Sequence, residues 1–349
     1  FEGRRKEDSE IFIDEETGWR WRWEKIAMVR NAKEENRDRH KVFLDPVPHT
    51  VRETYQNLRG WYKSKIEPPN VRPRPCYTDA ILTEPYLGSC QILCSPFCYI
   101  NAGVRGWRGT GVTVVPKDYG QFVSQQLKIM RTSAAGYFSS FTEPFMPGLE
   151  EHYKNTRQGA EAFVREGLPI FFLSRARYPG WAYDLLTKNI RSYAQKSINT
   201  PDPEDWRRLS PRAQPLEQHI EEIKELKKHF IYVSIQVNPI IPGVTSRDEI
   251  VKLIHKLAEV GADHLIFKHV EIAYPMRATM IKRIKEKFGD NRGKEFEDLF
   301  SAPDSNIGGQ ATISEEYRKE SLDLYYRECK KAGVTSAVCY EYEYERDSK

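Results

Sequence analysis

The sequence has no long apolar run: nothing in it approaches the roughly 20 residues that a membrane helix requires, and no signal-like apolar segment opens it. A soluble, cytoplasmic protein without a membrane partner is the expectation. It also lacks a dominant charge. Fifty-four basic against fifty acidic side chains leave a formal net charge of +4, which argues neither for nor against nucleic acid, so any basic site must be local. No repeat of solenoid type is present. Cysteines are few, and of the six (Cys76, Cys90, Cys94, Cys98, Cys329, Cys339) three fall within nine residues. Such clustering reads as metal binding in a reducing compartment and not as a disulfide framework. What is there is a chain of 349 residues, 39% hydrophobic and 30% charged, enough for one large α/β domain with or without an appendage. It opens on Phe1 and not on methionine, so further N-terminal sequence is expected ahead of it.

Residues 1–75 mix charge with aromatics and end in prolines (Pro46, Pro48, Pro68, Pro69, Pro73, Pro75), which predicts a basic, aromatic extension rather than a compact domain. From Ala80 the pattern changes. Ala80-Ile81-Leu82 leads into the cysteine loop, and β-like runs then alternate with helical periodicity: Gly111–Val115, Ala134–Phe141, Leu168–Leu173, Ser192–Ile198, Ile231–Val237, His264–Val270 and Val334–Tyr340. Leu216, Ile220, Ile223, Leu226 and Phe230 mark one apolar helical face. Ser246 with Glu249 has the spacing of a capping box, which starts a helix over Arg247–Val260 before Gly261, and Gly333 closes another over Glu315–Ala332. Strands alternating with such helices imply parallel pairing through right-handed crossovers. The expected architecture is a partial or full (β/α) barrel over residues 76–349, ending in a helix and a strand, behind the 1–75 extension; a doubly wound sheet is the alternative.

The segment Gly88-Ser89-Cys90-Gln91-Ile92-Leu93-Cys94-Ser95-Pro96-Phe97-Cys98 follows the first barrel-like strand. Three thiolates on one loop can each take one iron of a four-iron cluster, which leaves the fourth iron open to a small molecule. A zinc site is the competing reading, but structural zinc ordinarily takes four ligands in Cys-x2-Cys pairs, and no second pair exists here.

This loop resembles the cluster loop of radical S-adenosylmethionine (radical SAM) enzymes, Cys-x3-Cys-x2-Cys with an aromatic residue before the last cysteine. Phe97 fills the aromatic place, while Cys94 and Cys98 are one residue further apart than the usual pattern. Within the class the chain is most similar to the spore photoproduct lyase and DNA-repair-photolyase-like branch. The matching segments are Cys98-Tyr99-Ile100-Asn101, Phe138 to Pro147, Leu173-Ser174-Arg175-Ala176-Arg177, Ser197-Ile198-Asn199-Thr200, Arg212-Ala213-Gln214-Pro215 and Asn238-Pro239-Ile240-Ile241-Pro242-Gly243. They cover about residues 80–270.

The resemblance implies a [4Fe-4S] cluster held by Cys90, Cys94 and Cys98, with SAM chelating the open iron and cleaved by an electron from a donor such as flavodoxin or ferredoxin. The 5′-deoxyadenosyl radical so formed abstracts a hydrogen from the substrate, and the protein supplies placement and exclusion of water. Barrels put their active sites at strand C-termini. On that rule the family positions that fit are Phe97 and Tyr99 by the cluster, Ser140, Thr142 and Glu143 after one strand, Ser174 and Arg175 (or Arg177) after the next, then Ser197 with Asn199 and Gln236 with Asn238. A carboxylate at Glu143 can accept from SAM's ammonium or ribose, and a guanidinium at Arg175 can hold its carboxylate in a fork. Each position reads equally as a turn-forming or capping polar residue.

Spore photoproduct lyase returns hydrogen to its product through a cysteine assisted by tyrosines, which singles out Cys339 with Tyr340; a cysteine in a strand is also ordinary core. Cys329 falls on a covering helix and reads as structural. His269, with Lys268 and Glu271, can point into a barrel, but it and His264 read better as satisfied histidines. The acidic end, Glu341 to Glu345, reads as an edge strand. Arg52, Arg59, Lys63, Lys65, Arg72 and Arg74 interleaved with Tyr55, Trp61 and Tyr62, and Arg105, Trp107 and Arg108 after the loop, suit phosphates and stacked bases, as well as an amphipathic tail packed on a barrel. The leading expectation is therefore a radical SAM enzyme of lyase, isomerase or base-modifying type acting on a nucleic-acid base or nucleotide-derived group, in repair such as DNA repair or in modification. The alternatives are the same chemistry on a peptide or small metabolite, and a non-catalytic zinc protein that binds nucleic acid.

Overall fold

The computed structural model describes residues 4–6, 10–26, 38–52, 59–60, 80–98, 112–130, 135–139, 142–307 and 309–338. The chain divides into two compact units. The first comprises Phe1–Pro73, Tyr77–Leu93 and Cys98–Ser192, and the second Arg74–Cys76, Cys94–Phe97 and Tyr193–Lys349.

The first unit contains, in chain order, β1 (Arg4–Lys6), β2 (Phe12–Ile13), β3 (Arg20–Ile26), β4 (Asp38–Phe43), β5 (His49–Arg52), β6 (Arg59–Gly60), β7 (Ala80–Thr83), β8 (Leu87–Gly88), β9 (Thr113–Pro116), α1 (Tyr119–Ile129), β10 (Ala135–Phe138), α2 (Leu149–Tyr153), α3 (Asn155–Arg165), β11 (Ile170–Ser174) and α4 (Gly180–Leu186). One sheet runs β1-β3-β4-β5-β9-β8 with β2 on β3. Much of the described part of residues 1–75 is thus sheet. Its strands alternate charged residues with aromatics, so their apolar signal is weak even though Ile26 and Val42 are fully buried. The run expected over Gly111–Val115 as one of the barrel series is β9, and it pairs instead with β5 and β8 of this sheet. Strand length and β-branching mark a strand but do not choose its neighbour.

The parallel strands β7, β10 and β11 carry the barrel-like series in this unit. Their side chains alternate: Phe138 meets Phe163 of α3, and Phe172 meets Trp181 of α4, while Tyr137 and Phe171 stack at 4.5 Å on the opposite face. The start of α3 is held by Glu150, whose carboxylate accepts from the backbone N–H groups of Thr156 (3.1 Å) and Arg157 (3.0 Å) and from the Tyr86 hydroxyl (2.5 Å). Burial outweighs these donors and pushes the Glu150 carboxyl up to about 7.

The second unit contains β12 (Tyr193–Ser197), α5 (Pro203–Leu209), α6 (Leu216–Lys228), β13 (Tyr232–Ile240), α7 (Arg247–Glu259), β14 (His264–His269), β15 (Ile272–Ala273), α8 (Arg277–Phe288), α9 (Asp290–Phe300), β16 (Asn306–Ile307), β17 (Gln310–Ala311), α10 (Glu315–Ala332) and β18 (Thr335–Val338). The strands β12-β13-β14-β18 are all parallel, and β15, β17 and β16 form a small antiparallel sheet. The Ser246–Glu249 capping box is formed in both directions, and Gly333 closes α10 in the left-handed conformation. Leu216, Ile220, Ile223 and Leu226 are buried as the periodicity requires, but Phe230 is 98% exposed. The helix stops at Lys228, and Phe230 takes a left-handed φ of 58° that turns it off the apolar face. On β12, Lys196 is fully buried against α6, where its ammonium meets Glu222 at 2.5 Å.

Register also decides which side chains of β14 share the face of Gln236. Gln236 pairs with Ile266, so alternation puts Lys268 on the Gln236 side and His269 on the other. There His269 lies 6.2 Å from Tyr317 and 6.5 Å from Tyr325 of α10, and Lys268 pairs with Glu271 at 2.7 Å. No helix among the described residues is long and apolar enough to cross a membrane.

Two outcomes follow from this packing. Gly243 has φ +76°, and a Cβ there would stand 2.3 Å from the Arg292 carbonyl oxygen and 3.2 Å from the Phe296 nitrogen, both backbone. Gly243→Ala should therefore cost about 2 kcal/mol or more in urea unfolding. Because Glu150 keeps its proton to about pH 7 in the folded state against 4.5 for the ordinary carboxyl, the folded state binds more protons between those values. Stability from this group falls as the pH rises through that window, by on the order of 3 kcal/mol, and is level above it. Glu150→Gln should flatten the slope measured by urea unfolding between pH 4.5 and 7.

Candidate functional site

The cysteine loop begins at the end of β8. The Ser89 N–H donates to the Val112 carbonyl (3.0 Å) and the Thr113 hydroxyl to the Ser89 carbonyl (2.6 Å), which ties the loop's entry to the stretch around β9. Cys90, half-buried, packs against Tyr86, Val115, Met146 and Leu149 of the first unit. Cys98, also half-buried, belongs to the same unit. In the second unit the Cys94 sulfur lies 3.5 Å from the Ser210 hydroxyl, and the next residue is held from both sides: the Ser95 N–H donates to the Leu209 carbonyl (2.8 Å), and the Lys287 ammonium donates to the Ser95 carbonyl (3.4 Å). Burial draws the Lys287 ammonium below its ordinary range, and the charge of Cys94 opposes this. No sequence motif marks Ser210 or Lys287; only the fold brings them to the loop. Phe97 is half-buried.

The donor set fits an iron–sulfur group. Three cysteines outside any disulfide, each partly exposed, stand on one short loop, and thiolate is the ligand such clusters take. Among the described residues no three His, Cys, Asp or Glu side chains are already drawn into one metal-holding group. Cys329, the other described cysteine, is buried on α10, and burial pushes its thiol up to about 11, which suits structure and not ligation.

At the strand ends of the first unit the organising group is Glu143. Its Oε1 accepts from the Ser174 hydroxyl (2.6 Å) and the Phe145 N–H (3.1 Å), and its Oε2 from the Arg175 N–H (2.9 Å). The segment after β10 is thereby fastened to the end of β11. Ser174 also accepts from the Ala176 N–H at 2.9 Å. Thr142 donates to the Tyr86 carbonyl (2.9 Å) and lies 3.3 Å from Glu84. All of Thr142, Glu143, Ser174 and Arg175 are buried, so the sequence reading picked residues that the structure does bring together.

In the second unit the expected residues form a row across β12 and β13. Pairing of Gln195 with Ser234 and of Ser197 with Gln236 puts these side chains on one face. The Gln236 amide donates to Gln195 (3.1 Å), that of Asn238 to Gln236 (3.4 Å), and the Ser197 hydroxyl to the Asn238 carbonyl (3.3 Å). Asn199 donates to the Pro239 carbonyl (3.1 Å), while Thr245 donates to the Asn199 carbonyl (3.2 Å). Such a row of amides and hydroxyls can bond a ribose or a base edge. Tyr99, Ser140, Cys339 and Tyr340 lie outside the described residues, as do Cys76, the residues after Cys98 through Gly111, and all of residues 51–75 but Val51, Arg52, Arg59 and Gly60.

No family model matches the chain. It is 50% identical over 334 residues, 93% of its own length and 69% of the other's, to a protein of Pseudomonas phage M6 named radical SAM Nalpha-GlyT isomerase. Among solved structures it is similar to spore photoproduct lyase complexed with dinucleoside spore photoproduct, with a TM-score of 0.61 and 13% identity over 83% of this chain and 81% of that one. A variant of that lyase with bound AdoMet and the dinucleoside gives a TM-score of 0.58 and 13% identity over 74% and 76%. At that identity the likeness carries the fold, a (β/α) barrel of radical SAM type. With half of its residues shared with the phage protein over nearly its whole length, and its three-cysteine loop in place, this chain belongs to the radical SAM enzymes.

Proposed function

We propose that this enzyme is an isomerase that rearranges a glycyl group linked through its α-nitrogen to a thymidine unit of a nucleotide or nucleic acid. The observation that carries this is the 50% identity to the phage protein and that protein's name. We read the T of that name as thymidine, and the dinucleoside held by structures of the same fold supports a nucleoside. A glycyl-threonine peptide is the second reading, supported by the same name if T denotes an amino acid. Relative to a plain base, a glycyl group is the better target: the radical left at its α-carbon is delocalised onto both the nitrogen and the carboxyl group.

Cys90, Cys94 and Cys98 would be the ligands of a [4Fe-4S] cluster in this reading, and Phe97 and Tyr99 are candidate cofactor-binding residues. When bound, cluster and SAM together, with an electron from a flavodoxin- or ferredoxin-like donor, supply a radical able to remove a hydrogen atom from the substrate. Arg175 holds the SAM carboxylate as a fork. Glu143 spends its carboxylate on Ser174, Phe145 and the Arg175 backbone, so its part is to set Arg175 in place; Thr142 and Ser140 are further candidates for binding the cofactor. Ser197, Asn199 and Asn238 bond ribose or substrate. An isomerase conserves its composition, so the product radical must gain a hydrogen in place of the one removed. If SAM is consumed, the removed hydrogen leaves with 5′-deoxyadenosine and the Cys339 thiol, with Tyr340 next to it in sequence, is the candidate donor, its thiyl radical taking an electron from the reducing partner and a proton from solvent.

Anaerobic enzyme with SAM and dithionite should convert a thymidine-linked glycine to a product of identical mass and different retention, and leave glycyl-threonine untouched. Conversion of the peptide alone would transfer the proposal to the second reading, and conversion of neither would remove it. Cys94→Ala should abolish both cluster iron and SAM cleavage. Arg175→Ala should keep the iron and raise the SAM dissociation constant roughly 10- to 100-fold, the loss of a charge-assisted fork.

A further inference from the structure

The antiparallel strands β2, β3 and β4 of the first unit carry none of the candidate site residues, yet one of their faces has an unusual composition. Alternation along β3 puts Trp21, Trp23 and Lys25 on a common face, and the register sets them opposite Phe43, Lys41 and Arg39 of β4. β2 adds Phe12 opposite Trp21. The reverse face is the core side, where Glu24, Ile26 and Val42 are fully buried, Arg22 meets Glu24 at 2.6 Å, and Ile26 and Val42 pack with Val112.

The first face is open to water over most of its length: Arg39 is exposed, and Phe12, Trp21, Trp23, Lys25 and Lys41 are half-exposed. Its groups are already arranged. Phe12 and Trp21 stack with centroids 4.6 Å apart, and Trp23 meets Trp21 edge-on at 5.5 Å. The Arg39 guanidinium stands 4.5 Å over Trp23, and the Lys41 ammonium 4.5 Å over Trp21 and 4.7 Å over Phe43. An antiparallel sheet that turns one face to solvent ordinarily makes that face polar. Three large rings held half in water, with cations fixed over two of them, satisfy a ligand better than they satisfy the fold.

We infer that this face is a docking surface for a single-stranded segment of nucleic acid. The flat rings suit unpaired bases, and Lys25, Arg39 and Lys41 suit the phosphates between them, the pairing of stacking and charge on which single-strand platforms rely. Asp14, bonded to Lys41 at 2.7 Å, fixes that ammonium in place. A peptide would find cations here for its acidic groups but no use for the row of rings. The inference rests on the nucleic-acid reading of the substrate and extends it: the strand that bears the modified thymidine is held on this face of β2, β3 and β4.

The test is a titration of the full, cluster-bearing chain with a labelled single-stranded oligothymidylate, followed by anisotropy and tryptophan fluorescence at several salt concentrations. The unaltered protein should bind with quenching of its tryptophan emission. Trp23→Ala should weaken binding about tenfold, and Arg39→Glu, at an exposed position that leaves the fold intact by circular dichroism, should weaken it and lower the salt slope by about one. Oligonucleotide binding that is the same in the unaltered protein and both variants would overturn the docking surface while leaving the nucleic-acid reading in place. Absence of any oligonucleotide binding by the unaltered protein, together with turnover of a glycyl peptide, would overturn both.

Discussion

A buried carboxylate must be surrounded by donors, and Glu143 meets that demand by drawing the end of β11 onto the segment after β10. Everything placed at these strand ends hangs on that clamp, since Ser174 and the Arg175 backbone are its donors. The same rule recurs through the first unit. Glu150 ties the start of α3 to Tyr86, and the buried Asn155 amide donates to the carbonyls of Pro85 (3.1 Å) and Pro116 (2.8 Å), which joins the turn before β8 to the end of β9. Loops carry the function of a barrel because they are irregular, and irregular backbone holds its shape only where buried polar side chains pin it. One of these pins adjoins Cys90, since Tyr86, the partner of Glu150, belongs to the cluster against which Cys90 packs.

Much of the barrel was legible in the sequence, because period and punctuation are local properties. The strands at Ile170, Tyr193, Tyr232, His264 and Thr335 fall within a residue or two of the expected starts, and α10 spans Glu315–Ala332 as its glycine stop requires. What was not legible was non-local. β9 looks like any other strand, and its partner is chosen by a segment more than sixty residues earlier. Phe230 continues a helical period that the chain has already left. His269 and Lys268 are one residue apart, so only the register says which of them shares the face of Gln236. The helices α1, α3, α8 and α9 went unread among mixed charges, and the sheet of residues 10–52 was hidden because Trp21, Trp23 and Lys25 make its outer face look like a basic, aromatic tail.

The candidate site divides in the same way. Cys90, Cys94 and Cys98 announce themselves, because few chemistries call for three thiols on so short a loop. Membership of the radical SAM enzymes removes the non-catalytic zinc protein as an alternative. The polar strand ends were found by combining resemblance with the rule that barrels act at strand C-termini, and Glu143 with Ser174 and Arg175 proved to be neighbours. Ser210 and Lys287 had no signal at all: they reach the loop around Cys94 only through the packing of α5 and α8. The substrate was the least legible element: cations and rings in the sequence suit a base, while the glycyl group of the proposal comes from a relative's name and from no motif in this chain.

The proposed reaction begins with hydrogen abstraction from a glycyl α-carbon, and the most direct measurement is the fate of that hydrogen. Substrate carrying deuterium at the glycine α-carbon should yield deuterated 5′-deoxyadenosine when incubated anaerobically with the enzyme, SAM and dithionite. Cleavage of SAM that gives only unlabelled 5′-deoxyadenosine, with all deuterium still on the glycyl group, would contradict it.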